Sequence, residues 1–118
     1  MQMLFEGSDE SPEQPGLGIL PGRVELLPDT VKRPQMQWNP VRPSADHPLI
    51  TPLDGAWMYF VHSYAVRETD AALATCDYGG DMVAIAGRDN VIATQFHPEK
   101  SGRAGLDFLR SFVGQVAA

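Results

Sequence analysis

A run of prolines, Pro28, Pro34, Pro40, Pro43 and Pro48, restricts what the first half of this chain can become. Each lacks a backbone donor and fixes φ, so no long helix can form there and the segment divides into short extended pieces. Arg23 to Leu27 and Gln35 to Val41 are the stretches left for strands. The clearest strand signal follows at Trp57-Met58-Tyr59-Phe60-Val61-His62-Ser63-Tyr64, whose aromatic and β-branched residues suit a pleated surface. Ala72 to Tyr78, Met82 to Ala86 and Val91 to Phe96 come next, separated by Gly79-Gly80-Asp81 and Gly87-Arg88-Asp89-Asn90, which predicts an antiparallel meander.

Beyond Lys100 the apolar period changes. Leu106, Leu109, Phe112, Val113 and Val116 fall at helical spacing, predicting a terminal helix that starts at Ser101 or Gly102 and turns this stripe to the core. At the other end, Met1 to Glu6 has the apolar content of a helix segment but no N-cap, and residues 7–16 read as an exposed loop. Leu17 to Gly22 is a short apolar piece closed by a Pro-Gly turn. The sum is an incomplete α/β layer, without repeats or a second domain, whose remaining strands must come from other sequence or a partner.

With 43% hydrophobic and 20% charged residues the chain belongs to the ordinary globular class and allows one domain at most. A net charge of -6 argues against a nucleic-acid partner, which calls for clustered Lys and Arg. Apolar runs such as Ala56 to Val61 fall far short of the ~20 residues that span a bilayer, so no membrane segment is expected. Glu6, Asp9 and Glu10 stand where an export signal would carry basic residues. One cysteine permits no internal disulfide, and a reducing cytoplasm is the simplest address.

The sharpest chemical signal is Gln95-Phe96-His97-Pro98-Glu99 at the end of a predicted strand. Residues i and i+2 of an extended segment project to one side, so His97 and Glu99 can meet while Phe96 enters the core. A carboxylate beside an imidazole fixes its tautomer, which is the base-and-orienter half of a nucleophilic triad; a surface ion pair of little energetic weight is the plainer alternative. Cys76, the single thiol, lies inside an apparent strand with no exposing turn and no helix N-terminus, and reads as a partly buried structural residue. His62 reads as a satisfied buried histidine and His47 as solvated, and the histidines and cysteine show no metal-ligand spacing. Trp57 reads as packing, whereas Trp38, between Gln37 and Asn39 and before Pro40, is harder to bury on both sides.

The run Gln95-Phe96-His97-Pro98-Glu99-Lys100-Ser101 resembles the triad His and Glu segment of class I glutamine amidotransferases. Gly18-Ile19-Leu20-Pro21-Gly22-Arg23-Val24, Pro34-Gln35-Met36-Gln37-Trp38-Asn39 and Tyr59-Phe60-Val61-His62-Ser63-Tyr64 resemble, in order and spacing, segments of the glutaminase subunits of imidazole glycerol phosphate synthases. The resemblance implies the C-terminal part of an α/β amidotransferase domain, a mixed sheet with flanking helices. Met1 would be the internal methionine of the family's Gly-x-Cys-Leu-Gly-Met-Gln elbow, with the cysteine, the oxyanion loop and the earlier strands outside residues 1–118. A wrongly chosen start codon or a fragmentary sequence would give such a beginning.

By the same resemblance, His97 is the general base and Glu99 its orienter, while Gln2, Glu10, Ser63 and Tyr64 match positions that hold the substrate glutamine. Met36, Trp38, Tyr59 and Lys100 match positions facing the cyclase subunit of a heterodimer, and no cofactor is implied. Gln35 and Gln37 depart from the family's usual His and Gly and put the detail of that partner contact in question. Rival readings are a non-catalytic docking module on the cyclase, another class I amidotransferase or a γ-glutamyl hydrolase. A chain missing its central parallel strands would also leave apolar faces uncovered and prone to aggregate.

Overall fold

The prolines act as their chemistry requires, and every regular element before residue 57 is short. The computed structural model describes residues 1–117, with side chains through residue 114. Its elements are β1 (Gly7–Ser8), β2 (Arg23–Leu26), β3 (Gln35–Pro40), β4 (Arg42–Pro43), β5 (Trp57–His62), β6 (Tyr64–Ala65), β7 (Ala72–Asp77), β8 (Asp81–Arg88), β9 (Val91–Thr94) and α1 (Gly102–Ala117). Strand β2 pairs in parallel with β1 and antiparallel with β6. An antiparallel ribbon joins β3 to β5, with Trp38 opposite Tyr59 and Gln35 opposite His62. The predicted meander is present as the antiparallel order β7-β8-β9, to which the short β4 adds on the β7 edge.

Three boundaries differ from expectation. Met1 to Glu6 forms only one 3-10 turn, Gln2–Leu4, whose last backbone donors close onto Met1 and Gln2. The long aromatic strand breaks at Ser63, whose carbonyl accepts the Leu27 N–H at 2.9 Å and so passes the chain from one sheet to the next. Strand β9 stops at Thr94, although the Gln95 N–H still reaches the Ala84 carbonyl at 2.8 Å.

Strand β8 is buried from Met82 to Gly87. Met82, Ala84 and Ile85 join a core containing Met58, Phe60, Phe96 and Phe108, while Val83 and Ala86 join a second core with Phe5, Leu20, Val24 and Val66. A strand with apolar neighbours on both faces reads as a continuous hydrophobic run rather than an alternating one, as this segment does.

The face that α1 turns inward is the expected one only in part: of the predicted stripe, Phe112 packs against the core and Leu109 is half-buried, but Leu106 and Val113 face solvent. Leu106 and Val113 are 51% and 61% exposed, while Phe108 is 5% exposed and Ala104 and Phe112 pack against the core; the side chain of Val116 lies outside the described residues. Gly105 explains the choice: a Cβ there would stand 1.9 Å from the Pro98 carbonyl oxygen, so only a glycine lets the helix press this close to the preceding turn. Phe108 then reaches Phe96, with ring centroids 6.1 Å apart, and Phe96 reaches Phe60 at 5.7 Å. Among the described residues no helix is long and apolar enough to cross a membrane.

The two faces of α1 should therefore respond differently to truncation. Phe108→Ala is expected to cost about 3–5 kcal/mol in a denaturant melt, and Leu106→Ala no more than about 0.5 kcal/mol. Equal losses would show that the helix is seated the other way.

Candidate active site

Strand β9 ends at Thr94, and the chain bends through Gln95 and Phe96 before His97, whose own backbone is extended. Phe96 is buried in the core, and His97 is half-buried. Pro98 opens a 3-10 turn over Pro98–Lys100, and this turn brings Glu99 back beneath the ring. His97 Nδ1 lies 2.9 Å from Glu99 Oε1. With Nδ1–H donating to the carboxylate, the Nε2 lone pair of a neutral ring is free to accept a proton. The carboxyl of Glu99 is held below its ordinary value, chiefly by its own backbone N–H and then by His97, and stays an anion near neutrality.

Gln2 is drawn to the same end of the sheet. Its amide nitrogen donates to the Tyr64 carbonyl at 2.6 Å and to Gln95 Oε1 at 2.9 Å. Gln2 and Glu10 line one cleft of about 280 Å³ together with Ser8, Ser11 and Gln14, and His97 and Glu99 stand outside its lining. Of the expected substrate residues, Gln2 and Tyr64 thus share a hydrogen bond, Gln2 and Glu10 share a cleft, and Ser63 commits its carbonyl to Leu27. No role for Gln95 was expected from the sequence; its side-chain oxygen accepts the Gln2 amide at 2.9 Å.

His62 is not the fully satisfied histidine that its strand position predicted. Its Nδ1–H donates to the Tyr64 carbonyl at 2.9 Å, but its buried Nε2 has no partner. Burial lowers its pKa, partly offset by the Tyr64 hydrogen bond, and the charge of His97 adds to the lowering. Because the folded value lies below 6.5, the neutral ring favours folding above that pH, and the contribution is lost as pH falls through the folded value. His47 is also less free than expected: it is half-buried, and its Nδ1 accepts the Leu49 N–H at 3.1 Å.

Met36, Trp38 and Tyr59 share one face of the β3–β5 ribbon, with Trp38 and Tyr59 in edge contact at 5.9 Å. Lys100 is exposed one residue beyond Glu99. Trp57 belongs to this face as well, paired opposite Pro40; it is 57% exposed beside a Trp38 that is 45% exposed, so it is not the packing residue it was expected to be. Gln35 and Gln37 point to the other face, where both amides donate to Asn39 Oδ1 at 3.0 and 2.8 Å and Gln35 lies 3.9 Å from Cys76 Sγ. The two departures therefore leave the aromatic face itself unchanged. Among the described residues no group of three or more His, Cys, Asp and Glu is placed to hold a metal ion.

Cys76 is fully buried, and burial pushes its thiol up from 9.0 to about 11. A thiol raised in this way stabilises the fold fully below pH 9.0, and the stabilisation is lost as pH rises through 11. At neutral pH Cys76 is expected to react with a disulfide reagent only after denaturant is added, because the thiolate is the reacting form and the sulfur is inaccessible. Rapid labelling of the native chain would mean that Cys76 is an activated thiol.

The family of class I glutamine amidotransferases matches residues 33–116, a span that holds the ribbon, the meander and the His97–Glu99 turn. Imidazole glycerol phosphate synthase subunit HisH of Symbiobacterium thermophilum is 48% identical over 98% of this chain and 56% of its own length. The subunit of the same name from Methanothermobacter thermautotrophicus is 46% identical over the whole chain and 60% of its own length. The chain thus spans little more than half of the curated relatives it matches. A crystal structure of a glutamine amidotransferase superposes on 98% of the chain and 56% of its own with a TM-score of 0.65 at 22% identity, a likeness of fold. Sequence family, fold and an imidazole held by a carboxylate two residues on agree, and the chain belongs to the class I glutamine amidotransferases.

Proposed function

We propose that this chain is the base-bearing part of a glutaminase that hydrolyses glutamine to glutamate and ammonia and hands the ammonia to a cyclase subunit for imidazole glycerol phosphate formation in histidine biosynthesis. The observation that carries this reading is the 2.9 Å pair of His97 Nδ1 and Glu99 Oε1, in a chain whose relatives bear the synthase-subunit name. A cysteine thiolate attacks the side-chain amide carbon of glutamine once His97 Nε2 has taken the thiol proton. The C–N bond then breaks, the departing ammonia takes that proton back, and water hydrolyses the thioester to glutamate. Glu99 fixes the tautomer and stabilises the imidazolium while the proton rests there.

In this reading Gln2, Glu10, Ser63 and Tyr64 hold the substrate, and the cleft shared by Gln2 and Glu10 supports the assignment. The face of Met36, Trp38 and Tyr59, enlarged by Trp57 and flanked by Lys100, is the docking surface of a heterodimer. Exposed aromatic and methionine side chains supply apolar area at low entropic cost, and Lys100 can pair with an acidic group across the boundary. The reaction is placed in the cytoplasm. Because Cys76 is buried, residues 1–118 supply no accessible thiol for this attack, and by themselves are expected to release no glutamate.

The test is glutamate release by the whole gene product purified with its cyclase. His97→Ala should lower kcat by about 10³-fold or more. Unchanged turnover in a folded His97→Ala enzyme would rule His97 out as the base.

A further inference from the structure

We propose that Ser101 is a positioning residue that ties His97 to strand β5 and so fixes the ring on which the glutaminase reading rests. Ser101 is 2% exposed, and its hydroxyl is used in both directions. It donates to the His97 carbonyl at 2.7 Å and accepts the Tyr59 N–H at 2.9 Å. The His97 N–H in turn donates to the Tyr59 carbonyl at 3.1 Å. Both backbone groups of Tyr59 are therefore committed to the segment that carries the imidazole.

The hydroxyl is not needed to close the turn. Lys100 N–H already reaches the His97 carbonyl at 3.0 Å, and Ser101 N–H reaches the Pro98 carbonyl at 3.0 Å. What the side chain adds is the cross-connection to β5, through the second lone pair of a carbonyl already engaged once. Without it the Tyr59 N–H loses its acceptor, and residue 97 is held to the strand by a single bond. Displacing a reacting group by about 1 Å costs roughly 10²-fold in rate, so a second anchor beside the base bears on the chemistry as well as on stability.

The His97–Glu99 geometry can be followed directly by the ring ¹⁵N shifts of His97 in the labelled chain. Wild type is expected to show one tautomer with the proton on Nδ1. Ser101→Ala should give a mixture with converging ring shifts, and Ser101→Thr, which keeps the hydroxyl, should restore the single tautomer. Val24→Ala, in the other core, serves as control: it should lower the melting midpoint without moving the His97 signals. If Ser101→Ala behaves like that control, the proposal is overturned. Should Ser101→Ala fail to fold, Ser101→Cys, similar in size but a weak hydrogen-bonding group, is read by the same criterion. In the whole glutaminase Ser101→Ala should lower kcat by about 10- to 100-fold with KM unchanged. A wild-type enzyme without turnover would sink the glutaminase reading and leave the tautomer measurement to judge Ser101.

Discussion

Strand β8 has no face to give to water, and the rest of the architecture follows from that. Its side chains enter two cores, β7 and β9 are held along its edges, and Met58 and Phe60 of the β3–β5 ribbon share the first core with Met82, Ala84 and Ile85. A one-residue slip would carry Met82 and Val83 each toward the other core and disrupt both at once. The Ala84 carbonyl extends this control one residue past the end of β9 by accepting the Gln95 N–H. The position of His97 is thus inherited from the most deeply buried strand, through Gln95 and the wedge of Phe96.

Much of this was legible in the sequence where the physics is local. Prolines and glycine-rich turns set the strand limits within a few residues, and the His-Pro-Glu spacing placed an imidazole beside a carboxylate. The orientation of α1 was only partly legible, because its sequence offers two apolar stripes that share Phe112. Period alone favours Leu106 and Val113, whereas Gly105 favours the side that can approach Pro98 closely, and approach distance is a tertiary quantity. Trp57 was misread for a related reason: strand alternation gives two faces, and only the pairing with Pro40 and the neighbouring Trp38–Tyr59 contact decides which is covered.

The candidate site draws together residues far apart along the chain, which propensity cannot foresee. Gln2 meets Gln95 and the Tyr64 carbonyl, and that carbonyl also takes the His62 N–H. Short polar links between β5, β6, the first turn and the end of β9 hold Gln2, His62, Tyr64 and Gln95 in one cluster. The link between Gln2 and Gln95 is between side chains 93 positions apart and the others rest on the Tyr64 carbonyl, so a local motif finds His97 and Glu99 but passes over Gln95 and Ser101.

Trp38 and Trp57 are the chain's two tryptophans, and both stand on the exposed face of the β3–β5 ribbon. The indole fluorescence of these residues is consequently a local signal. It reads the polarity above that face, already wet in the native state, and says little about whether the two apolar interiors behind it are intact.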